Sequence, residues 1–180
     1  DAEATRLRDW LKSELADWFT AETNGSLDVL KYFVYDDEWN TLLGLEESFA
    51  SHQQLNDHHF HYGYFVRAAA EICRVDVAWC GADQYGPMIE LLIRDYAGDA
   101  DDPMFPYLRN FDPANGFSWA SGPANFVRGN NNESTSEAAN ALVVAAVEML
   151  MAAKRRDDAL DVIGFEKSLE ASRAVPNPIQ

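Results

Sequence analysis

Apolar side chains recur at every third or fourth position in several stretches of the chain, and this spacing predicts amphipathic helices. The clearest stretch covers residues 5–20, where leucines and aromatic residues alternate with charged ones. Its predicted apolar face consists of Leu7, Trp10, Leu11, Leu15, Trp18 and Phe19. The same spacing predicts four more helices, over residues 57–74, 85–97, 133–154 and 156–174. The pattern therefore indicates a mainly α protein.

Two segments interrupt the helical pattern. Residues 32–44 carry aromatic and β-branched side chains on either side of an acidic turn, which predicts a short β-hairpin near the N-terminus. Residues 98–132 are rich in proline, glycine and asparagine and predict a long loop, which is usually functional in a compact domain. The aromatic side chains of this loop either form a wall for a ligand or pin the loop to the core. They are Phe105, Tyr107, Phe111, Phe117, Trp119 and Phe126.

The composition is that of one globular domain spanning residues 1–180, because 47% of the residues are hydrophobic. The formal net charge of -16 argues against nucleic acids and anionic membranes as partners, since Lys and Arg must neutralise their phosphates. No apolar run approaches the roughly 18 residues of a membrane helix. The chain begins with Asp and shows no signal peptide, so we expect a segment excised or processed from a longer protein.

The two cysteines, Cys73 and Cys80, stand seven residues apart without a CxxC motif or a second pair. This spacing gives little support for a metal site. We expect buried or half-buried free thiols, with a local disulfide as the alternative.

One candidate for chemistry is a pair of acids, Glu133 and Glu137, at the predicted start of a helix. Residues four apart share a helical face, so the two carboxylates are expected to repel each other and raise one pKa. The alternative is an acidic first turn that only complements the helix dipole. The Asn-rich approach to the pair and the Ala-rich helix after it favour a functional site.

The second candidate is a histidine cluster, because all four histidines fall between His52 and His61. A metal site could use Asp57 with His58, His59 and His61. Zinc needs three or four convergent ligands, yet HExxH is missing and no further histidine follows. Packing histidines that bond to the backbone are the simpler alternative. No metal and no cofactor are therefore expected.

A third interpretation joins the two candidates. A protonated Asp57 and an ionised Glu133 could flank a glycosidic bond, one donating a proton and the other activating a water. Aromatic side chains would contact the apolar faces of sugars, and Arg109 and Arg128 would bind hydroxyls.

The string Leu55–Tyr64 resembles the signature of the endo-β-1,3-glucanases of glycoside hydrolase family 81. Further stretches agree with that family in the same order, and the similarity runs from about residue 7 to about residue 150. These stretches are Tyr32–Asp36, Leu92–Asp95, Phe105–Asp112, Gly116–Gly122 and Gly129–Ala138. Two positions depart from the family, which usually has His where this chain has Phe117 and Gln where it has Asn132.

The resemblance implies part of an (α/α)6 toroid, incomplete at this length, as a single catalytic segment. It implies inverting, metal-free hydrolysis of internal β-1,3 bonds in laminarin-like glucans, outside the cell or at the cell wall. Asp57 would be the general acid, Glu133 or Glu137 the base with Glu133 preferred, and His61 a neighbour in the site. The expected substrate contacts are Tyr62, Tyr64, His58, Arg109, Asp112, Trp119, Asn130 and Asn131. A non-catalytic glucan-binding fragment is the alternative, and the oligomeric state stays open.

Overall fold

The computed structural model describes residues 2–141, which contain three complete α-helices and three short antiparallel hairpins. The helices are α1 (Ala2–Trp18), α2 (His58–Cys73) and α3 (Gly86–Ala97), with a 3₁₀ helix at Val77–Cys80. A fourth helix, α4, is described over residues 135–141. The hairpins pair β1 (Glu22–Thr23) with β2 (Ser26–Leu27), β3 (Phe33–Asp36) with β4 (Thr41–Gly44), and β5 (Phe111–Asp112) with β6 (Phe117–Ser118). The remainder of the predicted helix over 133–154 and the predicted helix over 156–174 lie outside the described residues.

The first three predicted helices are confirmed, but the predicted face of α1 is wrong at its N-terminal end. Leu15 is buried, whereas Leu7 and Trp10 are exposed. The reason is that α1 meets the core only with its C-terminal half, where Trp18 packs edge-on against Phe65 of α2 at a centroid distance of 5.1 Å. The apolar stripe is therefore longer than the surface that covers it within residues 2–141.

The core lies between α2 and α3 and is closed on one side by the β3–β4 hairpin. Its apolar residues follow the helical period in both helices, because only one face of each turns inward. The buried members are Leu15, Leu42, Tyr62, Val66, Ala69, Ile72, Ile89, Leu92, Ile93, Tyr96, Phe105 and Ala141.

The predicted β-hairpin is confirmed, with Phe33 opposite Gly44 and Asp36 opposite Thr41. Asp36 forms the turn, since its Oδ1 accepts hydrogen bonds from the backbone N–H groups of Glu38 (3.0 Å) and Trp39 (2.9 Å). The hairpin thus places Thr41 in the interior, where it is fully buried.

The expectation of free thiols is wrong, because Cys73 and Cys80 form a disulfide. Helix α2 ends at Cys73, and the chain turns back through the 3₁₀ helix that contains Cys80. This reversal brings the two Cα atoms to 5.7 Å, within the range that a disulfide spans. Sequence spacing alone does not reveal the turn.

The segment between α3 and α4 is irregular apart from one feature that the sequence pattern does not predict, the β5–β6 hairpin. Asp112 builds its turn, with Oδ1 accepting from the N–H of Ala114 at 2.9 Å and Oδ2 from the side chain of Asn115 at 2.6 Å. None of the helices within residues 2–141 is long and apolar enough to cross a membrane.

Candidate active site

Asp57 occupies the N-cap position of α2 in an unusual backbone conformation. Its φ of 61° and ψ of 15° are left-handed, whereas N-cap residues normally adopt extended angles and bond to the helix with their side chains. The Asp57 side chain makes no such capping bond. Aspartate tolerates this conformation better than most residues, and the carboxyl group that does not cap the helix is left free at the N-terminus of α2.

The carboxyl group of Asp57 lies in a partly dry and negatively charged environment. Its pKa is raised from 3.8 to about 6, mainly by burial and also by the charges of Glu133 and Glu137, while His58 opposes the rise. Its Oδ1 atom is buried and has no hydrogen-bond partner among the described residues. Asp57 is therefore a carboxyl group that keeps its proton into weakly acidic conditions.

A backbone relay through Ala120 connects Asp57 to the acidic segment across the site. The carbonyl of Ala120 accepts the N–H of Asp57 at 2.8 Å, and the N–H of Ala120 donates to the carbonyl of Asn131 at 2.9 Å. The side-chain Oδ1 of Asn131 then accepts the N–H of Glu133 at 2.9 Å. Two segments about 75 residues apart are thus joined by consecutive hydrogen bonds.

Glu133 and Glu137 do not share a helical face as the sequence pattern predicts. Helix α4 begins at residue 135, and Glu133 precedes it with a left-handed φ of 63°. The hydroxyl of Ser134 accepts the N–H of Glu137 at 3.4 Å, so Ser134 caps the helix. The prediction failed because the turn formed by Asn131 delays the start of the helix to residue 135, two residues later than the acidic pattern indicates. Both glutamates still act electrostatically on Asp57, Glu133 more strongly.

Helix α4 approaches α2 closely at Gly63, and this contact brings Glu137 into the site. A Cβ atom on Gly63 would lie 2.5 Å from the Cβ of Ala141, closer than two carbons can approach. The exposed Tyr64, next to Gly63 in sequence, donates a hydrogen bond from its hydroxyl to Oε1 of Glu137, which stands one turn before Ala141. Hydrogen bonds from Ser134 and Tyr64 lower the pKa of Glu137. The pKa values of Asp57 and Glu137 are therefore displaced in opposite directions.

His59 and His61 of the histidine cluster both have lowered pKa values. Burial lowers the pKa of His59 to about 4, and its Nε2 has no hydrogen-bond partner among residues 2–141. Burial also lowers the pKa of the half-buried His61. Within the described residues no group of three or more His, Cys, Asp or Glu side chains is arranged to hold a metal ion.

Three of the predicted substrate contacts lie in the interior. His58 is 1% exposed and Tyr62 is 4% exposed. The Tyr62 hydroxyl donates to the carbonyl of Leu42 at 2.5 Å. Arg109, whose side chain is 7% exposed, donates to the carbonyl of Asn40 at 2.7 Å. The polar groups of all three are bonded to other parts of the protein.

The remaining predicted contacts are closer to the surface. Asp112 belongs to the β5–β6 turn and is held by Asn115 and the neighbouring backbone. Asn130 is half-buried, and Arg128 is exposed. The half-buried Trp119 stacks near Phe117 at a centroid distance of 6.5 Å, and its indole Nε1 has no partner among the described residues.

Two residues near the site escaped the sequence reasoning. Phe49 is 75% exposed, and its ring lies 5.9 Å from that of His61. Its segment has no periodic pattern, so only an aromatic side chain in a polar loop could have marked it. Asp95 is fully buried and bonds to His58 and Arg109. The stretch Leu92–Asp95 agrees with the family in sequence, but no pattern marked Asp95 itself as a site residue.

Comparison with known proteins supplies the family. The model of the glycosyl hydrolase family 81 C-terminal domain matches residues 2–166. The chain belongs to glycosyl hydrolase family 81. This confirms the family that the motif around Asp57 indicates.

Two similar proteins carry the same name. The glucan endo-1,3-beta-D-glucosidase of Acetivibrio thermocellus is 53% identical over 137 residues, which are 76% of this chain and 17% of that protein. The protein of the same name from Thermobifida fusca is 48% identical over 142 residues, with 78% of this chain and 18% of that protein covered.

The fold agrees with a solved family 81 structure. The glycoside hydrolase family 81 protein from Clostridium thermocellum superposes with a TM-score of 0.77 at 47% identity, covering 88% of this chain and 22% of that one. The described part of this family 81 chain is accordingly helix-rich with small sheets. The chain spans less than a quarter of the length of these three relatives.

Proposed function

We propose that this family 81 chain supplies the reacting groups for endo-acting hydrolysis of internal β-1,3-glucosidic bonds in laminarin-like glucans. The observation that carries the proposal is the raised pKa of Asp57, about 6, opposite the two glutamates. A carboxyl group that keeps its proton close to other carboxylates is what a general acid needs in a site that also holds a base. The names of the relatives from A. thermocellus and T. fusca supply the substrate class.

Asp57 would act as the general acid. Its proton passes to the glycosidic oxygen as the bond from that oxygen to the anomeric carbon breaks. A water molecule attacks the anomeric carbon from the opposite face and gives its proton to the base, so the configuration inverts. Water thus supplies one proton and one hydroxyl, and the product is an α-anomeric reducing end.

Glu133 is the better candidate for the base. Its carboxylate is exposed and makes no hydrogen bond to other described residues, so it is free to hold a water. The carboxylate of Glu137 is engaged by Tyr64. We assign Glu137 and His61 to neighbouring roles, in which the charge of Glu137 tunes the site and His61 lies beside it.

Hydroxyl groups of the glucan would bond to buried polar atoms that lack partners within residues 2–141. Such atoms are rare in folded proteins and call for an explanation. Trp119 Nε1 offers a donor, and Asn132 Oδ1 offers an acceptor. Tyr64, 55% exposed, offers an aromatic surface beside Glu137. Asn130 and Asp112 are the outer candidates for hydroxyl contacts.

Architecture and location extend the proposal. The likeness to the C. thermocellum structure supports a partial (α/α)6 toroid, in which α1 to α4 would be four of the helices. The Cys73–Cys80 disulfide supports an extracellular or cell-wall location, because disulfides persist in oxidising compartments.

The experiment compares Asp57→Asn, Glu133→Gln and Glu137→Gln with the unmodified full-length protein on laminarin. We expect Asp57→Asn and Glu133→Gln to lower the release of reducing sugar by at least about 100-fold, as for loss of a general acid or base. Sodium azide should restore bond cleavage in Glu133→Gln, because azide needs no base, and the product should be an α-glycosyl azide.

NMR spectra of fresh digests should show the α anomer first. An initial β anomer would refute inversion, and full activity in Asp57→Asn would refute the assigned acid. Binding of glucan without any hydrolysis, equal in Asp57→Asn and the unmodified protein, would favour the non-catalytic binding alternative.

A further inference from the structure

Asp95 is a fully buried carboxylate in the apolar core face of α3. Its Oδ1 accepts hydrogen bonds from the Thr41 hydroxyl at 2.7 Å and from the N–H of Leu42 at 2.8 Å. Its Oδ2 accepts from Nδ1 of His58 at 2.8 Å and lies 3.3 Å from Nε of Arg109. The backbone carbonyl of Asp95 also accepts from Arg109 Nε at 2.9 Å. One side chain therefore joins α3, β4, the start of α2 and the long loop.

The imidazole of His58 is held from both sides. Nδ1 bonds to the Asp95 carboxylate, and Nε2 lies 2.9 Å from the carbonyl of Ser51. Both partners only accept hydrogen bonds, so each ring nitrogen faces an acceptor, an arrangement that favours the doubly protonated imidazole. A buried imidazolium needs a close anion to offset its loss of hydration, and Asp95 provides it.

His58 is the first residue of α2 and follows Asp57 directly. The bond to Ser51 fixes the segment that leads into Asp57, and the bond to Asp95 fixes the first turn that leaves it. The left-handed Asp57 thus stands between two restrained neighbours, and its own side chain contributes no restraint.

We propose that Asp95 is a positioning residue that acts through His58 to fix the location and the proton affinity of the Asp57 carboxyl group. The proposal rests on the function proposed above, in which Asp57 is the acid. Asp95 touches neither substrate nor reacting atoms.

A purely structural role does not account for the choice of residues. Replacing a buried ion pair by apolar side chains of similar size often costs nothing in stability. The charge has a distinct consequence here, because a positive His58 lowers the pKa of Asp57, while burial, Glu133 and Glu137 raise it. Two charged groups lie on the side of His58. The carboxylate of Asp95 bonds to His58, and the guanidinium of Arg109 bonds to Asp95. Without the carboxylate of Asp95, His58 loses the anion that stabilises a positive charge on its ring.

The test is Asp95→Asn in the full-length protein, measured by kcat, KM and the pH profile on laminarin. Asn keeps an oxygen for Thr41 and Leu42 but presents an amide N–H group to His58. We expect kcat to fall roughly 10–100-fold, the size of effect that slight misplacement of a reacting group causes. KM should change less than about twofold, and the alkaline limb of the profile should move to higher pH because Asp57 loses a positive neighbour.

The matched control is Asp102→Asn. Asp102 also forms a shielded ion pair with a residue of α3, Arg94, at 2.7 Å, and also accepts from backbone N–H groups. None of these partners bonds to Asp57 or His58. We expect this variant to lose stability while it keeps the kcat and the pH profile of the unmodified protein.

Unchanged kcat and pH profile in Asp95→Asn would overturn the proposal. So would a loss of kcat that Asp102→Asn reproduces at equal loss of stability. If Asp95→Asn does not fold, His58→Gln tests the same link, and an unmoved alkaline limb in that variant would overturn the proposal. Failure of the proposed function is distinguishable, because it would appear as activity retained in Asp57→Asn.

Discussion

The features that suit Asp57 to acid chemistry also cost the folded protein stability. Its backbone adopts a left-handed conformation, and its carboxyl group is partly removed from water beside two other acids. A protein retains such a residue when its chemistry is needed, since an uncharged side chain would fit the same place at lower cost. Function and stability are therefore opposed at this one position.

Asp57→Asn should stabilise the protein at neutral pH. With a folded pKa of about 6 against 3.8, the folded state binds more protons than the unfolded state between these values. The contribution of Asp57 to stability therefore falls as pH rises from about 4 to about 6. We expect the free energy of unfolding of Asp57→Asn to exceed that of the unmodified protein by about 1–2 kcal/mol at pH 7, after allowance for screening by solvent.

Urea denaturation at pH 3.5 and pH 7 measures this difference. The gain should vanish at pH 3.5, where the carboxyl group is protonated in both states. Asp83→Asn, which changes an exposed carboxyl group, is the control and should show no gain at either pH. A lower stability of Asp57→Asn at pH 7 would contradict the prediction.

At the scale of elements, the contact between α2 and α4 sets the position of Glu137. The absence of a side chain at Gly63 lets Ala141 approach, and Tyr96 secures the same point by donating to the carbonyl of Ala141 at 3.1 Å. A glycine inside a helix normally costs about 0.5–1 kcal/mol relative to alanine. The close approach of the two helices offsets that cost.

Gly63→Ala should therefore destabilise the protein, although helix propensity alone favours alanine. The added methyl group would overlap Ala141, and overpacking of this kind costs about 1–3 kcal/mol. Thermal unfolding of Gly63→Ala, Ala141→Gly and the double variant measures the effect. The double variant should recover most of the stability that Gly63→Ala loses, and a stabilising Gly63→Ala would show that the helices are not in contact there.

Sequence reasoning recovered the elements whose signal is periodic and missed those that depend on turns of the chain. The helices at 57–74 and 85–97 follow from apolar spacing, and the hairpin at 32–44 follows from its acidic turn. The disulfide depends on a chain reversal after α2, which has no periodic signature. The displacement of Glu133 from α4 depends on a side-chain bond to Asn131. Both contacts join residues close in sequence, but they arise from turns and not from a periodic pattern, and the bond from Glu133 to Asn131 is the kind of turn that asparagine often forms.

The same division holds within the candidate site. Asp57 stands out in the sequence because histidines and aromatic residues surround it. His58 and Arg109 look like ligand contacts because they are polar, and only the fold shows that Asp95 occupies them in the interior. The sequence does not show which polar residues are buried, because a charged residue that is paired in the core is of the same type as one at the surface.

At the scale of the whole molecule, the negative charge sets a preference among polysaccharides. The formal net charge is -16, and the candidate site adds Asp57, Glu133 and Glu137 to the negative field. Such a field repels anionic polymers and is indifferent to neutral ones. Electrostatics thus favour an uncharged glucan, consistent with the proposed substrate.

Salt should distinguish the two substrate types. We expect KM for neutral laminarin to change less than about twofold between 20 mM and 500 mM NaCl, because screening removes a field that an uncharged chain does not feel. A carboxymethylated β-1,3-glucan should be a poor substrate at low salt and improve several-fold at high salt. Reducing-sugar assays at both concentrations provide the measurement. Equal salt responses of the two polymers would contradict a role for the global charge.

The relay through Ala120 has a mechanical consequence. A single residue, Ala120, accepts the N–H of Asp57 with its carbonyl oxygen and donates its own N–H to the carbonyl of Asn131. A displacement of the Asn131 loop is therefore transmitted along the backbone to the N-cap of α2, without any reacting side chain having to move first. The acid and the loop that leads to Glu133 are therefore held in register by the two hydrogen bonds of one residue.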